Sequence, residues 1–171
     1  MLEFLGALIG MSVRSGILMS LNLPAFFWKQ LTDEDVTLDD LAEIDQMTVS
    51  VLSDLQRVDG SKSEQEFLEE YDLYFTTILS NGEEVELSSG GKSKRVTFSN
   101  LKEFVRKSIS MRFNECRAQI KHIKRGIDQT FDSKILRLLS WKDLQYKVVG
   151  VDVIDIERLR ELTTYRVSTL R

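Results

Sequence analysis

Phe4-Leu5-Gly6-Ala7-Leu8-Ile9-Gly10-Met11, carried on through Leu21-Asn22-Leu23-Pro24 to Trp28-Lys29, sets an apolar helical run before a second, proline-opened helix. Leu2 to Arg14 reads as an apolar helix with glycines one turn apart, ending near Gly16, a residue suited to a left-handed stop. The apolar run Phe4 to Val13, bracketed by Glu3 and Arg14, is far short of the roughly 20 residues a membrane span needs. It also lacks the basic leader and small-residue cleavage site of a secretory signal. Gly6 and Gly10 have the spacing of membrane-helix dimers, but in so short a segment they predict a buried helix approached closely by a neighbouring backbone.

Outward from this stretch, helices dominate. Pro24 is suited to the first position of a helix over Ala25 to Leu31, because its missing N–H costs nothing there. Thr37 with Asp40 suggests a capped turn up to Ile44, and a further helix is expected over Met47 to Arg57. Ser63 with Glu66 forms a capping box for a helix ending near Tyr71. The period then changes: Leu73 to Leu79 and Glu84 to Leu87 flank Asn81-Gly82, the signature of a hairpin with a type I′ turn. A glycine–serine loop, Ser88 to Lys94, leads to a short strand expected around Arg95 to Phe98. Asn100 with Glu103 opens the longest expected helix, Leu101 to Arg125, stopped at Gly126, with an apolar stripe including Phe104, Val105, Cys116, Ile120 and Ile123. Ser140 and Asp143 open a helix stopping at Gly150, and Asp155 is placed to cap a last one through Leu162.

With 171 residues, 42% hydrophobic and 29% charged, the chain has the balance of an ordinary globular protein of one domain or two small subdomains. A net charge of -4 with scattered basic residues argues against nucleic-acid binding. A single cysteine excludes an internal disulfide framework and fits a reducing, cytoplasmic setting.

No catalytic constellation emerges. Cys116 and His122 lie six residues apart on one expected helix, about 600° of rotation, hence on different faces. Cys116 falls on the apolar stripe, where burial raises a thiol pKa, so it reads as a structural cysteine rather than a nucleophile. His122 beside Lys121 and Lys124 reads as a surface residue, and one histidine with one cysteine makes no zinc site. Gly90-Gly91-Lys92-Ser93 resembles half a phosphate loop, but Glu86 stands where the first glycine is required. The acidic runs at Asp33-Glu34-Asp35 and Glu64 to Asp72 read as solvated first turns and loops. What remains is a surface: Thr48, Val51, Leu52 and Leu55 share one side of a helix, and with the strand start at Leu73 and the turn Leu136-Arg137-Leu138-Leu139 they form either a shallow apolar groove or simply core.

These blocks, in order, resemble the N-terminal lobe of HECT-type ubiquitin ligases over nearly the whole chain. The resemblance rests on Phe4 to Gly10, Leu21 to Pro24, Trp28 to Leu31, and Thr37 to Leu41 leading to Asp45. It continues through Val96 to Asn100, Glu103-Phe104-Val105, Arg112-Phe113, Gly126, Leu138 to Gly150, Ile154-Asp155 and Thr163-Thr164-Tyr165. The loop Ser88 to Arg95 departs from the family's proline-containing stretch, and Val148-Val149-Gly150 stands where many members have a cysteine before the glycine.

The resemblance implies an α+β fold: a mostly helical large subdomain over 1–44 and 99–171, with a small hairpin-containing α+β subdomain inserted over 45–98. It implies that the small subdomain binds a ubiquitin-charged E2 conjugating enzyme through Thr48, Val51, Leu52, Leu55, Tyr71, Leu73 and Leu139. Ubiquitin would pass from that enzyme to a ligase cysteine and then to a protein substrate. The cysteine is expected in a C-terminal lobe that follows a hinge near Tyr165 and is absent from these residues, so the fragment alone is expected to be inactive. No cofactor, metal, membrane or nucleic acid is implied. A helical scaffold or oligomerisation domain without ubiquitin chemistry is the alternative.

Overall fold

Gly6 and Gly126 set how the first helix packs. The computed structural model describes residues 1–58, 63–151 and 156–164. In it α1 (Leu2–Ser15) lies along α7 (Arg117–Ile127), where a Cβ on Gly6 would strike the Ile123 carbonyl and one on Gly126 the Glu3 carbonyl. The two backbones approach this closely because neither glycine has a side chain. Gly126 is thus a contact point inside α7 and not the stop its identity suggested; the helix runs on to Ile127. Gly16 does end α1, at φ 71°.

The remaining helices among the described residues are α2 (Ala25–Thr32), α3 (Leu38–Ala42), α4 (Gln46–Arg57), α5 (Glu64–Glu70), α6 (Leu101–Asn114), α8 (Trp141–Val149) and α9 (Ile156–Leu162). Capping boxes at Thr37/Asp40, Ser63/Glu66 and Ser140/Asp143 open α3, α5 and α8 as the residues dictate. Pro24 sits one position earlier than expected, as the extended residue before α2. Asp155, the expected cap of α9, lies outside the described residues.

The hairpin pairs β1 (Thr76–Ile78) with β2 (Glu84–Glu86) antiparallel, Thr77 opposite Val85. Its turn is not type I′, because Asn81 keeps a negative φ and only Gly82, at 81°, is left-handed. The Gly82 N–H donates to the Leu79 carbonyl at 2.9 Å, and the Leu79 N–H to that of Glu83 at 2.9 Å. This is a three-residue loop with a glycine bulge, in which Asn81 instead uses its side chain to accept the Glu83 N–H at 2.9 Å. The segment after Gly91–Ser93, a 3₁₀ turn, forms only a single bridge, Tyr74 to Arg95, and no strand.

The long expected helix is two. Cys116, at φ -88° and ψ 5°, breaks it between α6 and α7. The break lets one apolar stripe serve two cores. Ile120, Ile123 and Ile127 join Ile9, Trp28, Leu31 and Leu144 in the first. Leu101, Phe104 and Val105 join Leu52, Leu55, Phe67, Phe75 and Val96 in the second. The second core therefore draws on side chains from both sides of residue 98. Each such buried side chain contributes roughly 1.5–3 kcal/mol. Asn100 does not cap α6 with its side chain, which instead accepts the Thr97 N–H at 2.8 Å and donates to the Arg95 carbonyl at 3.1 Å.

The architecture is α+β: mostly helical, with one small two-stranded sheet.

Candidate functional site

α4 carries four of the seven residues expected to receive a partner, and its N-terminus is firmly held. Asp45 caps it, accepting the Thr48 N–H at 3.1 Å, while its other oxygen accepts from Arg112 at 2.7 Å. Burial pushes the Asp45 carboxyl up, but the bonds from Thr48 and the charge of Arg112 outweigh it and hold it below its ordinary value. Arg112, only 4% exposed, also donates to Glu115 at 2.7 Å and to the Ile78 carbonyl at 3.4 Å. Glu115 in turn accepts from the N–H and the hydroxyl of Ser80 at the hairpin tip. One buried guanidinium thus ties α4, the hairpin and the end of α6 together.

The seven residues do not all face one way. Val51 is 49% exposed, but Leu52 and Leu55, at 5% and 2%, point into the second core and hold α4 on it. That corrects the expectation that these two line an outward groove: residues one position apart on a helix face different directions, and Leu52 and Leu55 take the inner one. Thr48, Tyr71 and Leu73 are half-buried, the last two packing against the second core, with the Tyr71 ring 5.2 Å from that of Phe67. The Leu73 carbonyl accepts the Val96 N–H at 2.8 Å. Leu139 ends the 3₁₀ segment Ser133–Leu138 and packs against the first core, apart from the others.

The exposed apolar residues of α4 are instead Met47 and Val51, one helical turn apart, with Ile44 exposed in the turn that precedes the cap Asp45. Met47 is 80% exposed. Sequence reasoning missed Ile44 and Met47; the one-turn spacing of Met47 from Val51 was the signal that could have found Met47, whereas Ile44 lies before the helix and outside its period.

Elsewhere the local chemistry is structural. Burial pushes the Cys116 thiol up, the Glu115 carboxylate adds to the shift, and Arg112 opposes it. His122 faces Glu3, 3.3 Å away, on the surface. In the Gly90–Ser93 turn the Lys92 N–H donates to the Glu86 carboxylate at 3.2 Å, so a carboxylate occupies the place a phosphate would need. Among the described residues no group of three or more His, Cys, Asp or Glu side chains could hold a metal, and no helix is long and apolar enough to cross a membrane.

The family model for the HECT domain (ubiquitin-transferase) matches residues 1–170. The chain belongs to the HECT-domain family. It is 32% identical over 166 residues, 97% of its length, to the E3 ubiquitin-protein ligase HERC2 of Homo sapiens. To the E3 ubiquitin-protein ligase NEDD4 of Rattus norvegicus it is 26% identical over 165 residues. It spans 3% of the length of the first relative and 18% of the second. Membership in the HECT family accords with the α+β architecture.

Proposed function

We propose that this chain is part of the N-terminal lobe of a HECT ubiquitin ligase and docks a ubiquitin-charged E2 conjugating enzyme, the outer face of α4 being the contact. The observation that carries the reading is the exposed apolar pair Met47 and Val51 on the helix the resemblance assigns to docking, with Ile44 exposed just before it, in a chain whose residues 1–170 match the HECT family. Thr48 lies on the same helix and is half-buried, Tyr71 and Leu73 are half-buried against the second core, and Leu52 and Leu55 act from beneath by fixing the helix. In this reading residues 45–98 form the docking subdomain, inserted in a helical body over 1–44 and 99–171.

The chemistry served is a two-step acyl transfer. Ubiquitin leaves the conjugating enzyme's thioester for a ligase cysteine and is then passed to a lysine of a protein substrate. Cys116 is not given that role, because burial and the neighbouring Glu115 carboxylate push its thiol toward the inert, protonated form. The ligase cysteine belongs to the C-terminal lobe, and the setting is intracellular.

An apolar patch of this size supports weak, transient binding, about micromolar or weaker. Titrating isotope-labelled chain with a panel of conjugating enzymes tests it. Chemical-shift changes at Met47 and Val51 are expected; a panel that leaves both resonances in place removes the reading.

The second reading, a helical scaffold or oligomerisation domain without ubiquitin chemistry, is favoured by α9, whose Ile156, Leu159 and Leu162 are all exposed. Sedimentation showing a stable dimer that Leu159→Glu dissociates would support it over the first.

A further inference from the structure

The pattern Ser/Thr-x-x-Asp/Glu, the acceptor signature an acid-preferring serine kinase reads, starts at Thr32, Thr37, Ser61, Ser63, Ser80 and Ser140. The fold separates these positions. Thr37, Ser63 and Ser140 are helix caps, each accepting a backbone N–H of its own first turn, so a kinase would have to unwind a helix end to take them. Thr32 is buried and bonded to the Trp28 and Lys29 carbonyls. Ser61 lies outside the described residues. Ser80 alone among the described ones stands exposed in a hairpin turn, with Glu83, Glu84 and Glu86 following as an acidic run for a basic kinase cleft.

Its surroundings give a phosphate there a consequence. The Ser80 N–H donates to Glu115 Oε1 at 2.9 Å, and its hydroxyl donates to the same oxygen. The other oxygen of Glu115 is taken by Arg112 at 2.7 Å. We propose that Ser80 is a phosphorylation site for an acid-preferring serine kinase, and that its phosphate releases the hairpin tip from the end of α6. In the modification Ser80 Oγ bonds to the γ-phosphorus of ATP, the bond from that phosphorus to the β–γ bridging oxygen breaks with the oxygen leaving on ADP, and the hydroxyl proton passes to the kinase's base. The product has lost its donor to Glu115 and sets a charge of about −1.5 to −2 against that carboxylate. Arg112 stays with Asp45 and Ile78, so the release is confined to the tip.

The folded chain is incubated with an acid-preferring serine kinase and Mg-ATP, and the product is mapped by mass spectrometry. A gain of about 80 Da on the peptide containing Ser80, abolished in Ser80→Ala, is expected. Hydrogen exchange at the Ser80 amide should then be about tenfold faster than in the unmodified chain. In Glu115→Gln, which keeps an acceptor without the charge, phosphorylation should speed that exchange less than about threefold. No incorporation into the folded chain, incorporation only at other positions, or exchange that is unchanged or slowed each overturns the proposal. Equal acceleration in Glu115→Gln overturns the repulsion by Glu115.

Discussion

Arg112 Nη2 donates to Asp45 Oδ2 at 2.7 Å, joining the last turns of α6 to the cap of α4. The pair is asymmetric in burial, the arginine side chain 4% and the aspartate 26% exposed. Arg112 also leaves its Nε without a partner, a cost tolerated because its other nitrogens hold three elements at once.

Removing the arginine should therefore cost more than removing the aspartate. Arg112→Met leaves Asp45 and Glu115 uncompensated and should destabilise by about 3 kcal/mol. Asp45→Asn keeps a capping side chain and should cost only about 1 kcal/mol. Urea midpoints of the two variants check the order; equal losses would mean that the bonds from Arg112 to Glu115 and Ile78 add nothing beyond its pair with Asp45.

The same carboxylates set the acid limit. Burial pushes Asp33, Asp40 and Asp45 up, but their bonds to Lys124 and Arg137, to Lys29 and Thr37, and to Thr48 and Arg112 leave all three below the ordinary value of 3.8. A carboxyl depressed by folding stabilises fully above its unfolded pKa, and that contribution is lost as pH falls through the folded value. Unfolding free energy should hold steady from neutrality down toward about pH 5 and then fall below pH 4. Denaturant melts at pH 6 and pH 3 decide this.

Gly6 and Gly126 face backbone, which cannot move aside, so alanine at either should destabilise by about 3 kcal/mol. Gly16 has open space around it and only its positive φ to protect, so Gly16→Ala should cost about 1 kcal/mol. Thermal melts of the three variants would show whether close approach or backbone conformation dominates.

Val51 and Leu52 are neighbours in sequence with opposite fates. Val51→Asp should leave the melting temperature within a few degrees while weakening conjugating-enzyme binding about tenfold or more. Leu52→Asp buries a charge in the second core and should unfold the chain. A Val51→Asp variant that binds normally would exclude the outer face of α4 from the contact.

Cys116 should be slow to alkylate in the native state, by about tenfold against a free cysteine peptide at neutral pH, since burial favours the thiol over the thiolate. Iodoacetamide trapping followed by mass measurement reads the rate, and native labelling as fast as the peptide's would contradict the burial argument.

How much of this was legible in the chain depends on the range of the forces involved. Capping boxes at Thr37, Ser63 and Ser140 were readable because a cap is decided within four residues. So was the role of Gly6, since a glycine on an apolar helical face asks for a close neighbour. The break at Cys116 was not, because Asn114-Glu115-Cys116 contains neither glycine nor proline and the stripe keeps its period across it. The turn at Asn81-Gly82 was located by its residues but mistyped, because Asn81 serves the turn through its side chain and not through a positive φ.

For the candidate site the division is sharper. The residues Thr48, Val51, Leu52 and Leu55 could be assigned to one helix from their order alone, and apolar periodicity marked that helix as amphipathic. Which of them turn inward was decided only when Phe67, Phe75 and Phe104 came together beneath α4, because burial belongs to the partners a side chain meets. The same holds for Leu139, drawn into the other core, and for Arg112, whose partners come from residues 45, 78 and 115. Local hydrogen bonding and helical period were settled along the chain; direction, and with it the open face of α4, was settled by contacts between segments far apart in it.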